Sequence, residues 1–256
     1  MTATPPPSGR GRTTLITGAS SGLGAELARQ LAAHGCDLAL CARRADRLEQ
    51  LRDEITAAHP DRRVVIRRLD VDDHDDVFRA FGELDEQLGG LQRVVVNAGI
   101  GKGAPIGTGR FDANRATLET DLVSALAQCE AAMQLFRAAG RGQLVLVSSV
   151  SALRGMPRAM TAYGAAKAGL AAVGEGLRAE LHGSPIVVTT LLPGYIRSEM
   201  NTGRATPLMA STAAGVRAMV RAIEREAATA VVPAWPWRPL SVVVRHAPLR
   251  LLRKLT

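Results

Sequence analysis

The sequence predicts an α/β chain: a single-domain doubly wound fold with a mostly parallel seven-stranded sheet. Three observations carry that expectation. Seven short β-type runs alternate with helical stretches, the order that builds a parallel sheet with helices on both faces. Several runs, "LVLV" and "IVVTTLL" among them, are continuously apolar instead of alternating, which suits strands buried on both sides. At 256 residues, 46% apolar and 22% charged, the chain can fill one large core, and no internal repeat or linker divides it.

The elements follow in order. Residues 1–11 are expected to be a disordered leader; "MTATPPPSGRGR" has no apolar core and so does not read as a signal peptide. The run "TTLITG" (13–18) precedes a helix near 22–34, and "CDLALCA" (36–42) precedes a charged helix near 45–58. "RVVIRRLDV" leads to a helix over 74–88, and "LQRVVVNAG" to a long one over 112–138. "GQLVLVSSV" leads to a helix over 160–182, "PIVVTTLLPG" to one near 210–227, and "AVVPAW" closes the series. The folded domain is thus expected over 12–233, with a basic and apolar tail over 234–256.

Composition narrows the function. Basic residues exceed acidic ones by 32 to 24, and almost all are arginine, the lysines being Lys102, Lys167 and Lys254. The high charge raises nucleic-acid binding, but basic residues are interleaved with acids outside the tail, aromatics are few and no such motif is present. No window approaches eighteen continuous apolar residues, so no spanning helix is expected. Cys36, Cys41 and Cys129 are odd in number and match no metal spacing. They read as reduced, mostly buried thiols of a cytoplasmic protein, and no metal site is expected.

Between the first strand and its helix stands "TGASSGLG", with Thr17, Gly18, Gly22 and Gly24. A strand–glycine turn–helix unit lets the backbone approach a phosphate closely and aims helix N–H groups at its charge, so this turn reads as a Rossmann-type dinucleotide pyrophosphate site. Cofactor choice lies at the end of the second strand. A carboxylate there would hydrogen-bond the ribose diol; the position holds Ala42, followed by Arg43 and Arg44. Two guanidiniums without an acid favour the 2′-phosphate of NADP(H).

With "LDV" at 69–71, "NAG" at 97–99, "SS" at 148–149, "YGAAK" at 163–167 and "PGYIRS" at 193–198, the ordered set resembles the short-chain dehydrogenase/reductase family over about residues 12–233. The resemblance implies cofactor contacts by Gly18, Ser20, Ser21, Gly22, Leu23, Gly24, Arg43 and Arg44 at the phosphates, and by Asp70 and Val71 around the adenine. It further implies contacts from Asn97, Ala98 and Gly99, and from Pro193, Gly194, Ile196 and Ser198 at the nicotinamide end. Tyr163 would be the acid/base, Lys167 its partner and a holder of the ribose, and Ser149 the carbonyl's second donor.

The chemistry can also be argued from the residues. A ketone receiving hydride develops negative charge on oxygen and needs a proton donor and a hydrogen-bond donor in place. A phenol is too weak an acid at neutral pH, and a neighbouring ammonium stabilises its anion. Positions i and i+4 share a helix face, which sets Lys167 beside Tyr163. Ala162, Ala166, Leu170, Val173, Leu177 and Leu181 form the apolar stripe of that helix, with the Tyr–Lys pair on its edge.

The pattern departs from the family in two places. The loop from Ser149 to Tyr163 is one residue longer than usual, which keeps Ser151 as an alternative to Ser149. In the long helix, Asp121 stands where the family has an asparagine. An ionised carboxylate accepts hydrogen bonds but cannot donate; its charge would raise the pKa of Lys167 and disfavour a phenolate at Tyr163.

Met200, Leu208 and Met209 in "SEMNTGRATPLMA" read either as an apolar lid over the substrate or as packing on the body. Lys102, Arg110 and Arg154 lie in segments that could approach the pocket mouth. The tail carries Arg238, Arg245, Arg250, Arg253 and Lys254 without a carboxylate, and Pro248 interrupts any continuous helix. It reads as a peripheral contact with the inner membrane surface or as an arm packed on this or a neighbouring subunit. The leading expectation is an NADP(H)-dependent oxidoreductase interconverting a ketone or aldehyde and an alcohol, the substrate apolar or lipid-like. The alternative is an NADP-binding, catalytically weak sensor or membrane-associated scaffold. Family resemblance suggests a homo-dimer or homo-tetramer formed through the helices over 112–138 and 160–182.

Overall fold

The computed structural model describes residues 11–199 and 208–250; the leader before residue 11, Met200, Arg253 and Lys254 lie outside the described residues. Seven strands form one sheet: β1 (Thr13–Thr17), β2 (Asp37–Ala42), β3 (Val64–Arg68), β4 (Arg93–Val96), β5 (Gly142–Val147), β6 (Ile186–Pro193) and β7 (Thr229–Val232). Every pairing is parallel, in the order β3-β2-β1-β4-β5-β6-β7. The continuously apolar runs are the reason: Leu144, Val145 and Leu146 of β5 are all buried, so both faces must be covered.

Two helical layers cover them. On one face, α1 (Gly22–Ala33), α2 (Ala45–Ala58) and α7 (Thr212–Glu224) bury Leu27, Leu31, Leu48, Ile55, Met219 and Ile223 against the sheet. On the other, α3 (His74–Leu88), α5 (Ser124–Ala139) and α6 (Thr161–Glu180) bury Phe81, Leu84, Phe136 and Leu170. Each such side chain is worth roughly 1.5–3 kcal/mol when fully removed from water. The helices carry their own boundaries. In α3, the Asp73 carboxylate accepts from the Asp76 N–H at 3.0 Å, and Asp75 and Asp76 oppose the positive end of the helix dipole.

The stretch expected as one helix over 112–138 is three pieces. α4 (Phe111–Leu118) runs into a π turn, Glu119–Val123, which continues as α5. The wide turn puts Thr120 and Asp121 inside, both buried.

The tail is also more structured than its composition predicts. Ala234–His246 form α8, which packs on β7 and on the loop after β5. Trp235 is non-helical, so Pro236 and Pro239 fall in the opening turn, where a missing N–H removes no helical bond of consequence. Trp237 is buried over Gly194 and meets Tyr195 edge-on, with ring centroids 5.1 Å apart. Arg154 does not reach the pocket mouth; its guanidinium donates to the carbonyls of Val244, Arg245 and Ala247 at the end of α8. Among the described residues, no helix is long and apolar enough to cross a membrane.

Candidate active site

The sheet reverses its winding between β1 and β4, and the connections leave those neighbours in opposite directions. This opens a crevice at their carboxyl ends. There the chain turns from β1 into α1. Gly18 has φ of +64°, and a Cβ on it would come within 2.9 Å of the Ala98 Cα, so a side chain is excluded twice over. A Cβ on Gly24 would lie 2.3 Å from the Gly18 carbonyl oxygen, which lets α1 seat directly on the turn. Asn97 ties the two strands together: its Nδ2 donates to the Thr17 carbonyl at 2.9 Å. The Thr17 hydroxyl accepts from the N–H groups of Asn97 and Ala98, each at 3.1 Å.

The start of α1 is left open to an anion. Ser21 is the N-cap residue, yet its side chain makes no capping hydrogen bond, and the first turn holds no acid. The Ser21 hydroxyl instead accepts from Arg44 at 2.7 Å, and Ser20 accepts from two Arg44 nitrogens at 3.0 and 3.2 Å. Arg43 is exposed and pairs with none of the described residues. Ala42, at the end of β2, contributes no charge.

Across the crevice, α6 presents Tyr163 and Lys167, while Ala162, Ala166, Leu170 and Leu181 point into the core. The Lys167 Nζ lies 5.7 Å from the Tyr163 ring centre, donates to the Val147 carbonyl at 3.3 Å and stands 3.3 Å from the Asp121 carboxylate. Asp121 is fully buried, and its other oxygen accepts from the Ile100 N–H at 2.6 Å. The Ser148 hydroxyl fixes the α6 backbone by donating to the Lys167 carbonyl at 2.7 Å.

Burial alone would lower the Lys167 pKa, but the Asp121 carboxylate, helped by Tyr163, carries it above its usual value. Burial pushes Asp121 up, against Lys167 and the Ile100 N–H. From the sequence Lys167 is expected to lower the Tyr163 phenol. In the structure, desolvation outweighs it and Asp121 adds to the rise, so the phenol sits above its ordinary value, with a side-chain hydrogen bond from Ser149 pulling the other way. The Ser149 oxygen also accepts from the Ser151 N–H at 3.1 Å.

A cavity of about 580 Å³ joins these parts. Its wall includes Gly18, Ser20, Ser21, Gly22, Leu23, Gly24, Arg43 and Arg44, then Asp70, Val71, Asn97, Ala98 and Gly99. Ser149, Tyr163, Lys167, Pro193, Gly194, Ile196 and Ser198 complete the set of expected contacts. Asp121 stands behind the wall, its carboxylate 3.3 Å from the Lys167 Nζ. Ser151 and Met209 also line the cavity, as do residues the motifs did not single out as contacts, Ile100, Ala159, Met160, Tyr195 and Glu199 among them. Tyr195 lies inside "PGYIRS" and is one of only two tyrosines, a signal the sequence offered. Arg110 pairs instead with Asp112 at 3.1 Å. Cys36, Cys41 and Cys129 are free and buried, the last two thiols pushed up to about 12 by burial. Among the described residues no cluster could hold a metal ion.

A doubly wound sheet with a glycine turn at its switch point and a Tyr–Lys helix across the crevice defines a class, the oxidoreductases that take a nucleotide cofactor. The chain belongs to the short chain dehydrogenase family, which matches residues 12–209 and uses NAD(P)(H). It is 54% identical over 241 residues to an "Uncharacterized oxidoreductase" of Mycobacterium tuberculosis, covering 94% of this chain and 95% of that one. It is 37% identical to 11-beta-hydroxysteroid dehydrogenase A of Arachis hypogaea, over 76% of this chain and 55% of that one. Among solved structures, a short chain dehydrogenase from Burkholderia cenocepacia in complex with NADP superposes with a TM-score of 0.78 at 28% identity. That match covers 87% of this chain and 96% of the other.

Proposed function

We propose that the protein is an NADP(H)-dependent oxidoreductase that interconverts an apolar ketone or aldehyde and its alcohol, with Tyr163 as the acid/base. The observation that carries this reading is that Tyr163 and Ser149 line one cavity with Lys167, whose ammonium is anchored by buried Asp121. The residues fit a dinucleotide: Gly18 and Gly24 leave room where side chains would collide, the α1 N–H groups are uncapped, and Arg43 and Arg44 stand where a 2′-phosphate would arrive. When bound, the cofactor supplies or accepts the hydride.

The chain's own groups do the rest. The Ser149 hydroxyl and the Tyr163 phenol converge on the carbonyl oxygen, and the phenol proton passes to that oxygen as its charge develops. A phenol held above its ordinary pKa is protonated at neutral pH, the state reduction requires. Lys167 stabilises the phenolate left behind and is placed to hold a ribose hydroxyl. Asp70 and Val71 frame the adenine; Asn97, Ala98 and Gly99 flank the cofactor, and Pro193, Gly194, Ile196 and Ser198 the nicotinamide end.

On the substrate side Ile100, Ala159, Met160, Tyr195 and Met209 offer an apolar wall, and every charged residue of the cavity other than Lys167 lies toward the glycine turn or the adenine position. The relative named as a hydroxysteroid dehydrogenase supports a large apolar substrate. A catalytically weak sensor or scaffold finds no support in a site that holds all three groups of the reaction. Tyr163→Phe is expected to lower kcat for carbonyl reduction by about 10²–10⁴ while NADPH binding persists. Undiminished turnover in that variant would remove Tyr163 from the chemistry.

The outward side of α8 exposes Trp235, Val242 and Val243 beside Arg238 and Arg245, and Leu249 and Arg250 are exposed just after it, with no acidic side chain beyond Glu226. This composition supports peripheral contact with an anionic membrane at the cytoplasmic face, through which an apolar substrate would arrive. Co-sedimentation with vesicles rich in phosphatidylglycerol should weaken severalfold in Val243→Glu; equal binding of both proteins would refute the contact. The exposed apolar side chains Phe111, Leu118, Val123 and Leu126 on α4, the π turn and α5 support a homo-oligomer.

A further inference from the structure

We infer that Glu199 tempers the cofactor preference by holding, with its own carboxylate, the guanidinium that would receive the 2′-phosphate. The inference rests on the NADP(H) reading above. Two sides of Arg44 are committed: its Nε and Nη2 donate to the hydroxyls of Ser20 and Ser21. The remaining nitrogen, Nη1, donates to the Glu199 carboxylate at 3.3 Å. The second Glu199 oxygen accepts from Arg47 at 2.6 Å. Both Arg44 and Glu199 line the cavity beside Arg43, whereas Arg47 stands outside it.

The Arg47 and Arg44 guanidiniums hold the Glu199 carboxyl below its usual range, so it is an anion at neutral pH. A phosphate arriving at the Nη1 of Arg44 therefore meets a carboxylate already there. Two anions compete for one donor, and Glu199 must withdraw onto Arg47 for the phosphate to bind. A cofactor that carries a 2′-hydroxyl in place of the phosphate faces no such competition. The side chains of Arg44, Arg47 and Glu199 are 42%, 41% and 55% exposed, so the pairs are weak and the carboxylate is displaceable. Glu199 thus tempers the NADP(H) preference that Arg43 and Arg44 create, and leaves NAD(H) binding as it is.

Calorimetric titration of the wild type and Glu199→Gln with NADPH, NADH and adenosine 2′,5′-bisphosphate tests this. Glutamine keeps the shape of the exposed side chain and removes its charge. In the variant the Kd for NADPH and for the bisphosphate should fall about threefold to tenfold, and that for NADH should stay within about twofold. Unchanged NADPH affinity, or an equal gain for NADH, would overturn the role of Glu199 while leaving the NADP(H) reading intact. Wild-type protein that prefers NADH, or binds neither dinucleotide, would overturn that reading and this inference together.

Discussion

Two buried ion pairs stand at opposite ends of the sheet, and their surroundings give them different work. At the carboxyl end Lys167 faces Asp121 at 3.3 Å. At the amino end Arg93, fully buried, faces Glu224 at 2.9 Å. Arg93 is enclosed by a web with no opening to the cavity. Its Nε donates to Gln143 at 2.7 Å, and Gln143 donates in turn to Thr189 and to the Ile223 carbonyl, at 3.1 and 2.8 Å. That web joins β4, β5, β6 and the end of α7. Burial lowers the Arg93 pKa, whereas Lys167 ends above its ordinary value because Asp121 outweighs burial. Lys167 also has a tyrosine ring at 5.7 Å and a cavity in front of it. A buried charge walled in by amides and carbonyls fastens elements together; one that borders a cavity can lend its charge to a neighbouring group.

The largest effect expected from breaking this contrast lies at the amino end. Arg93→Met removes one partner and leaves Glu224 without its buried cation, while Gln143 keeps only the Arg12 guanidinium, at 3.2 Å, as a donor. The expected loss is about 3–5 kcal/mol of stability, read as a lower denaturation midpoint in urea. NADPH affinity of the folded protein should be unchanged, because none of these residues lines the cavity. A variant that kept its stability and lost cofactor affinity would reverse the assignment of the two pairs.

Much of the fold was legible because it follows from local patterning. Continuous apolar runs such as "LVLV" require cover on both faces, and the spacing Ala162–Ala166–Leu170 requires one face of a helix to be buried. The glycine turn and the Tyr163–Lys167 spacing were legible for the same reason, since each is a short-range geometric requirement. What escaped is what sheet order creates. Arg93 meets Glu224 only because β4 lies inside the sheet and α7 returns beside it. Glu199 meets Arg44 and Arg47 only because the segment after β6 crosses the carboxyl end of the sheet to the residues that follow β2. The π turn escaped because it costs the helix no change in composition, and α8 escaped because the one proline read as a breaker, Pro248, lies beyond it, while Pro236 and Pro239 fall in its opening turn.

The smaller effect lies at the carboxyl end, and it is the sharper test of what Asp121 does. In Asp121→Asn the amide oxygen can still accept from the Ile100 N–H, and Lys167 keeps the Val147 carbonyl and the Tyr163 ring. The stability loss should therefore be about 1–2 kcal/mol, below that at Arg93. The pH dependence should respond more than the fold. Asp121 now raises both Lys167 and Tyr163, so removing its charge lowers both. With Tyr163 as the proposed acid/base, alcohol oxidation would need the phenolate and rise with pH through the tyrosine pKa; its rising limb should move to lower pH. Carbonyl reduction, which needs the phenol, should begin its alkaline decline at lower pH, with the maximal rate changed by less than about tenfold. Rate profiles of both directions measure this. If they superpose on the wild type, the carboxylate does not act on the proton donor, and the two ion pairs differ in position but not in kind.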